Sequence, residues 1–305
     1  MQMRWAAALL CLFFAATPLY AAPLTVTVVL SEQGGTYLEF TEALREKLLK
    51  KNIRLNVVSD STSIIPEQGM VIAAGMKAAT AAAGNSGIPA ILNVLIPEAG
   101  FEKLQDDFPR RASSKSFSAI YLDQHTERHI RLIKALLPGK RHIGLLLDTY
   151  PQDELAELRH RVARHKLVLH EQKVSDKLPV FAALQEVLKE SEVLLALPET
   201  SIYNSSSIRN ILLAAYRNGS PMIGFTPGYV KAGALAAVYS TPAQVAEQAV
   251  QAILQYGETR TLPPAQHPQL FEVQVNEQVG QSLGLPVKSA AELHREISAI
   301  TGDEP

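Results

Sequence analysis

Short β-branched runs alternate with stretches of helical period from Leu24 onward, and this alternation constrains the fold more than any other feature of the sequence. The run 24–30 (LTVTVVL) has the pattern of a strand covered on both faces. Tyr37 to Lys51 follows with apolar residues at 37, 40, 44 and 48, one face of a helix. Strands over Ile53–Val58, Met70–Ala73 and Pro89–Val94 continue the series, with an alanine-rich helix from Met76 to Ala83 between the last two. Apolar strands separated by helices predict a parallel sheet with helices on both faces, where right-handed crossovers place them.

After a loop-like stretch at 106–115 the pattern restarts. Phe117–Leu122 reads as a connecting strand and Asp123–Leu137 as a helix closed by Pro138 and Gly139. Strands His142–Leu147, Lys166–Gln172, Val193–Leu197 and Pro221–Phe225 then alternate with helices Pro151–Arg164, Leu178–Glu190 and Ser201–Arg217. Two arrays of this size fit two lobes, each with its own core. A strand at Ala234–Tyr239, a capped helix at Thr241–Tyr256, a proline-rich connector at Thr261–Pro268, a strand at Leu270–Val275 and a helix at Asn276–Leu283 complete the chain. Elements that follow a finished second array imply a return to the first lobe and a further crossing. The expected architecture is α/β, with two doubly wound parallel-sheet lobes joined by a multi-strand hinge. Residues 23–117 plus 240–265 are assigned to the N-terminal lobe and 118–239 plus 266–305 to the C-terminal lobe.

The first 22 residues have a different character. One cation, Arg4, precedes an apolar run from Trp5 to Ala16, which ends at Pro18 and small residues. That run falls short of the roughly 20 residues that cross a bilayer, and its layout is that of a secretory signal peptide cleaved after Ala21 or Ala22. The chain's one cysteine, Cys11, lies inside the run behind Leu10. A lipidated cysteine needs a small residue before it, so no lipid anchor is expected. The mature chain then has no cysteine, which excludes disulfides and thiolate metal sites. With 29 basic against 30 acidic residues, no basic field for nucleic acid or an anionic membrane is present. No later segment is apolar enough to insert directly into a membrane.

Several segments resemble a known family. Residues 229–236 (YVKAGALA), after 220–225 (SPMIGF) and before Gln244–Leu254, are similar to the late segment of ABC-transporter substrate-binding proteins of the type I periplasmic-binding fold. The branch they resemble includes tryptophan- and tyrosine-binding members. Residues 71–75 (VIAAG), 87–91 (GIPAI), 133–140 (IKALLPGK), 273–276 (VQVN) and 283–285 (LGL) match in the same order. The resemblance implies a periplasmic, non-enzymatic monomer that closes over a small-molecule ligand and docks on an inner-membrane ABC permease, without a cofactor. Two loops depart from the family. A His-Pro and an Asp near the ligand give way to residues 31–35 (SEQGG), and an Asp-Asn gives way to residues 198–200 (PET).

Ligands of open α/β sheets sit beyond the carboxyl ends of strands, where helix N-termini present unpaired N–H groups. That rule selects Glu32, Gln33, Gly35 and Thr36 after the first strand, then Gly75, Met76, Lys77 and Asn93 from the rest of the first lobe. From the second lobe it selects Asp148, Thr149, Tyr150, Glu199, Thr200, Thr226 and Tyr229. Lys77 suits a carboxylate at a helix start, or is simply an exposed lysine. Glu32 and Glu199 could hold an amine, or complement helix starts. Tyr37, Tyr150, Tyr203 and Tyr229 could stack on a ring or form core edges. An amino acid or similar zwitterion is the favoured ligand class.

Other chemistries lack their motifs. Gly34 and Gly35 do not form a dinucleotide fingerprint, no phosphate-binding P-loop occurs, and residues 84–87 (GNSG) lack the spacing of a nucleophile elbow. No nucleophile, base and orienter come together, so no catalytic residue is expected, and a hydrolase using Glu32 and Glu199 is the weaker reading. His125 and His129, four apart, read as residues of a surface helix rather than a metal site. The basic residues around His160 and His165 read as a solvated helix end. A membrane signalling receptor is the alternative partner to a permease.

Overall fold

The computed structural model describes residues 24–51, 53–59, 69–150 and 152–298; the expected signal segment, residues 1–22, and Pro151 at an expected helix start lie outside them. The first array comprises β1 (Thr25–Leu30), α1 (Gly35–Leu49), β2 (Arg54–Val58), β3 (Met70–Ala74), α2 (Met76–Gly84), β4 (Ala90–Ile96), α3 (Glu98–Asp107), α4 (Pro109–Ala112) and β5 (Phe117–Tyr121). The second begins with α5 (Thr126–Leu136), β6 (His142–Leu147), α6 (Gln152–Arg164), β7 (Val168–Lys173), α7 (Val180–Glu190), β8 (Val193–Leu195), α8 (Ile208–Arg217), β9 (Met222–Gly224), α9 (Pro227–Ala232) and β10 (Ala236–Tyr239). It is followed by α10 (Pro242–Thr259), β11 (Glu272–Val275), α11 (Glu277–Ser282) and α12 (Ala290–Ser298).

Two separate sheets result. One is wholly parallel with strand order β2-β1-β3-β4-β5; the other has order β11-β10-β9-β8-β6-β7 and is parallel except where β11 runs against β10. The two-residue period of the strands divides each sheet's apolar residues between two cores. Val26 and Val28 of β1, with Met70 and Ile72 of β3, pack among Phe40, Leu44 and Leu48 of α1 and Ala249 and Ile253 of α10. Val29 and Val71 face the opposite way, toward Ala78 and Ala82 of α2 and Phe101 of α3. In the second sheet Leu145 and Leu195 pack with α5, α6 and α12, whereas Leu146 and Leu194 pack with α7 and α8. This division makes both sheets doubly wound.

Helix α10 joins the first lobe although it follows ten strands, because its buried face packs against α1. A reciprocal capping box fixes its start: Thr241 Oγ1 accepts from the Gln244 N–H, and Gln244 Oε1 accepts from the Thr241 N–H. Helix α12 lies back on α5 and β11. The chain therefore crosses between lobes three times, and side chains tie the crossings together. Gln124 donates to Ser240 Oγ at 2.9 Å and accepts from Arg128 at 2.8 Å; Arg128 also donates to the Pro268 and Gln269 carbonyls, each at 2.8 Å.

Three features differ from the sequence reading. Phe117–Tyr121 pairs in parallel with β4, so the first sheet extends past the expected lobe boundary at 117. The stretch after β4 contains α3 and α4, where no element was expected before the supposed loop at 106–115. Helix α8 begins at Ile208 rather than Ser201, because Asn204 Oδ1 accepts from the N–H groups of Ser206 and Ser207 and holds a turn there.

Candidate functional site

The carboxyl ends of the strands carry loops whose shapes follow from a few small residues. Gly75, at the end of β3, has φ +87°, and a Cβ there would lie 2.5 Å from Tyr37 Oη and 2.6 Å from Ser31 Oγ. Only glycine fits this approach. Ser31 Oγ also accepts from the Ala78 N–H at 3.0 Å, binding the loop after β1 to the start of α2. Glu32, Gln33, Gly35 and Thr36 are exposed on that loop and the first turn of α1, while Met76 is half-buried and Lys77 exposed at the start of α2. Asn93 lies elsewhere. Because β4 continues to Ile96, Asn93 is inside the strand rather than after it, fully buried, with its Nδ2 donating to the Ser118 carbonyl at 3.0 Å.

In the second lobe the sequence candidates are largely occupied with one another. Glu199 is buried, and its Oε2 accepts from the Asp148 N–H at 2.8 Å. Burial, reinforced by the Asp148 charge, raises its carboxyl to a pKa of about 7, against the pull of hydrogen bonds from the Asp148 and Thr149 backbone. Its role here is to hold the loop after β6. Thr149 and Thr200 are exposed, and Thr226 is the N-cap residue of α9. Tyr229 donates to the Tyr203 carbonyl at 3.1 Å and packs on Phe225 with ring centres 4.7 Å apart.

Between the lobes lies a cavity of about 110 Å³. Glu98 of α3 enters it from the first lobe, Tyr150 and Glu154 from the second, Asp123 from the first crossing and His267 from the third. Of the sequence candidates, only Tyr150 lines this cavity. The others were missed for a common reason: ending β4 at Val94 hid the helix start at Pro97–Glu98, and charged residues in hinge segments carry no motif.

The cavity is acidic, and its acids are bonded to one another and to the frame. The Glu98 N–H donates to Asp123 Oδ2 at 2.7 Å, while Glu98 Oε2 lies 3.0 Å from His267 Nε2. Burial raises the Asp123 carboxyl to about 7. Glu154 is raised far above the ordinary carboxylate range, first by burial and then by the charges of Glu98, Glu102 and Asp123. Glu98 and Glu154 line the cavity from opposite lobes, with Tyr150 on the same wall as Glu154.

His129 also lines the cavity, at 1% exposure, so α5 is not the surface helix expected around His125 and His129. One face of α5 is buried against the second sheet, and Glu127 and Arg128 are buried with it. Burial, together with the nearby Arg128, His267 and His125, lowers the His129 pKa to about 3 and keeps the ring neutral. The solvated basic helix end is also partly enclosed: Arg131 and His165 each lie 2.7 Å from Glu127 Oε1. Among the described residues no group of three or more His, Cys, Asp or Glu side chains could hold a metal ion.

Residues 50–291 match the family described as ABC transporter substrate binding protein. The chain belongs to that family. Its members are substrate-binding proteins rather than enzymes, generally located outside the cytoplasm, and the family implies a small-molecule ligand and a membrane permease partner. No helix among the described residues of this substrate-binding protein is long and apolar enough to cross a membrane.

Solved structures show the same fold. A conserved domain protein from Vibrio cholerae superposes with a TM-score of 0.65 at 18% identity, over 90% of this chain and 98% of the other. An ABC domain from Streptococcus pneumoniae, in complex with L-Trp, gives 0.63 at 13% identity over 88% and 96%. A substrate-binding protein with adhesive properties from Clostridium difficile, ligand-free and open, gives 0.62 at 18% over 87% and 96%. No curated protein matches the chain significantly in sequence.

Proposed function

We propose that the protein is the periplasmic solute-binding component of an ABC importer, exported by a cleaved signal peptide and not lipidated. It traps a small polar ligand between its lobes, an amino acid or similar zwitterion being favoured, and presents the closed form to an inner-membrane permease. One observation carries this reading: a single cavity takes its walls from α3 of the first lobe, α6 of the second and two of the connections between them. A ligand that touches all these walls binds the closed arrangement better than an open one, and that difference in affinity drives closure.

The head of the ligand is assigned to the cavity around Tyr150. The remainder would meet the exposed loop residues Glu32–Thr36, Met76 and Lys77 from one side and Asp148, Thr149, Thr200, Thr226 and Tyr229 from the other. Asn93 and Glu199 support this arrangement from behind, Asn93 Nδ2 holding the Ser118 carbonyl and Glu199 Oε2 the Asp148 N–H. Thermal-shift measurements on the purified protein with amino acids, aromatic acids, purines and sugars test the reading. One class is expected to raise the melting temperature, with compaction in small-angle scattering. No shift with any class would overturn it.

A further inference from the structure

Two carboxyls face one cavity from opposite lobes, Glu98 on α3 of the first and Glu154 on α6 of the second. Burial, with the charges of Glu98, Glu102 and Asp123, raises the Glu154 carboxyl, so that it keeps a proton there. The space between the two residues is where a ligand bridging the lobes would sit.

The surroundings favour a cation there. Glu102 and Asp106 lie farther along α3, and on α6 Asp153 flanks Glu154; Asp106 and Asp153 are near enough for their charges to act on Glu102. Asp123 contributes a third cavity carboxyl from the first crossing, and the Tyr121 and Tyr150 hydroxyls are kept neutral by burial and by these acids. The nearby basic side chains are already engaged. His267 is at Glu98, Arg161 lies 2.6 Å from Glu157, and Arg128 is bound to hinge carbonyls. His125 lines the cavity and packs edge-on against His267.

A second, independent observation points to a ligand. His129 is 99% buried and lines this cavity, and its Nδ1 has no hydrogen-bond partner among the described residues. A buried nitrogen left unbonded is destabilising, and a ligand donor relieves it. A neutral imidazole nitrogen can accept a hydrogen bond from a ligand N–H or O–H, which a carboxylate does not supply.

We infer that this cavity takes the primary ammonium group of the ligand, between Glu98 of the first lobe and Glu154 of the second. The inference rests on the solute-binding reading above and narrows its ligand class to amines. In the unliganded protein the Glu154 carboxyl is protonated. In the complex it is ionised, the R–NH₃⁺ group donates to it and to Glu98, and the Glu154 proton leaves to solvent. No covalent bond other than that O–H changes. Binding therefore strengthens as pH rises, because free protons compete with the ligand for one site.

Isothermal titration calorimetry at pH 7 in phosphate and in Tris tests this with L-lysine, L-tryptophan, L-glutamate and 1,4-diaminobutane. Succinate, phenylacetate and D-glucose serve as probes without an amine. At least one amine is expected to bind with release of about one proton, and none of the others to bind comparably. Glu154→Gln is expected to abolish proton release and weaken binding at least tenfold. Glu98→Gln should do the same from the other lobe, with melting curves checking that both variants fold. An amine-free ligand that binds best, or amine binding without proton release, or amine binding that both variants leave unchanged, overturns the inference and leaves the solute-binding role intact. If no probe in the wider thermal-shift panel binds, the solute-binding reading itself fails.

Discussion

Glu98 Oε2 lies 3.0 Å from His267 Nε2, so the first turn of α3 is tied to the connector that carries the chain back to the second lobe. Both side chains are largely out of solvent, at 17% and 30% exposure. A pair so placed couples the cavity wall to the hinge, and a double-mutant cycle isolates that coupling. With Glu98→Gln and His267→Ala at pH 6, the interaction energy from urea unfolding is expected to be about 1 kcal/mol. A value near zero would mean that the two groups act independently.

Arg128 is the main fastener of the hinge. It is 8% exposed, donates to Gln124 and to the Pro268 and Gln269 carbonyls, and its guanidinium lies 4.4 Å from the centre of the Phe271 ring. Arg128→Ala leaves the Pro268 and Gln269 carbonyls and the Gln124 oxygen without this donor, at a cost of about 2–3 kcal/mol. Arg128→Lys should recover little, since a single ammonium cannot reproduce the planar fork. Chemical denaturation of both variants gives the comparison.

Stability should fall as pH rises through the neutral range. Asp123 and Glu199 are each held near 7 in the folded chain, well above their unfolded values of about 4. Between those limits the folded state keeps protons that the unfolded state has released, so the contribution of these two groups to unfolding free energy declines from about pH 4 to 7, and Glu154, raised to about 9, extends the decline to that pH. For Glu127, hydrogen bonds from Arg131 and His165 outweigh burial and hold the carboxyl low, so its contribution changes at more acid pH. Glu199→Gln retains an acceptor for the Asp148 N–H. It should match the parent protein at pH 5 and exceed it by roughly 1–2 kcal/mol at pH 8. Equal pH profiles for the two proteins would refute the assignment.

Replacing Gly75 tests the closeness of the loops beside the cleft. A Cβ at this position meets Tyr37 Oη at 2.5 Å and Ser31 Oγ at 2.6 Å, with φ at +87°. Gly75→Ala is expected to cost at least about 2 kcal/mol, from strain and from displacing Ser31 off the Ala78 N–H. A crystal structure of the variant should show the loop after β1 moved. Retained stability would show that the loop is freer than its contacts imply.

The fold was largely legible in the sequence because burial on both faces makes a strand apolar throughout. Val26, Val28 and Val29 identify β1 wherever the strand sits, and the α1 period at Phe40, Leu44 and Leu48 specifies one buried face. The capped start of α10 at Thr241 and Gln244 is local in the same sense. Elements governed by polar competition were less legible. Asn204 and the serines after it delay α8, and α3, with only Phe101 and Leu104 buried, presents too little apolar period to stand out.

The site depended on contacts that no local pattern encodes. Rules about strand ends reach Tyr150, which lines the cavity, and the exposed loops, since the position of a strand's carboxyl end follows from the strand itself. They placed Asn93 beyond a strand that in fact encloses it, and gave Glu199 to the cleft when its carboxylate is engaged with the Asp148 N–H. Alone in the sequence, Glu98, Asp123, Glu154 and His267 are ordinary charged residues. They become a site only when α10 folds back on α1, the chain crosses for the third time, and four separate segments meet in a space small and dry enough for their charges to interact strongly. The sequence by itself determined two doubly wound lobes, because hydrophobic period is a property of neighbouring residues. Tertiary structure alone decided the acidic cavity, because the strength of an interaction between charges depends on distance through space and on exclusion of water.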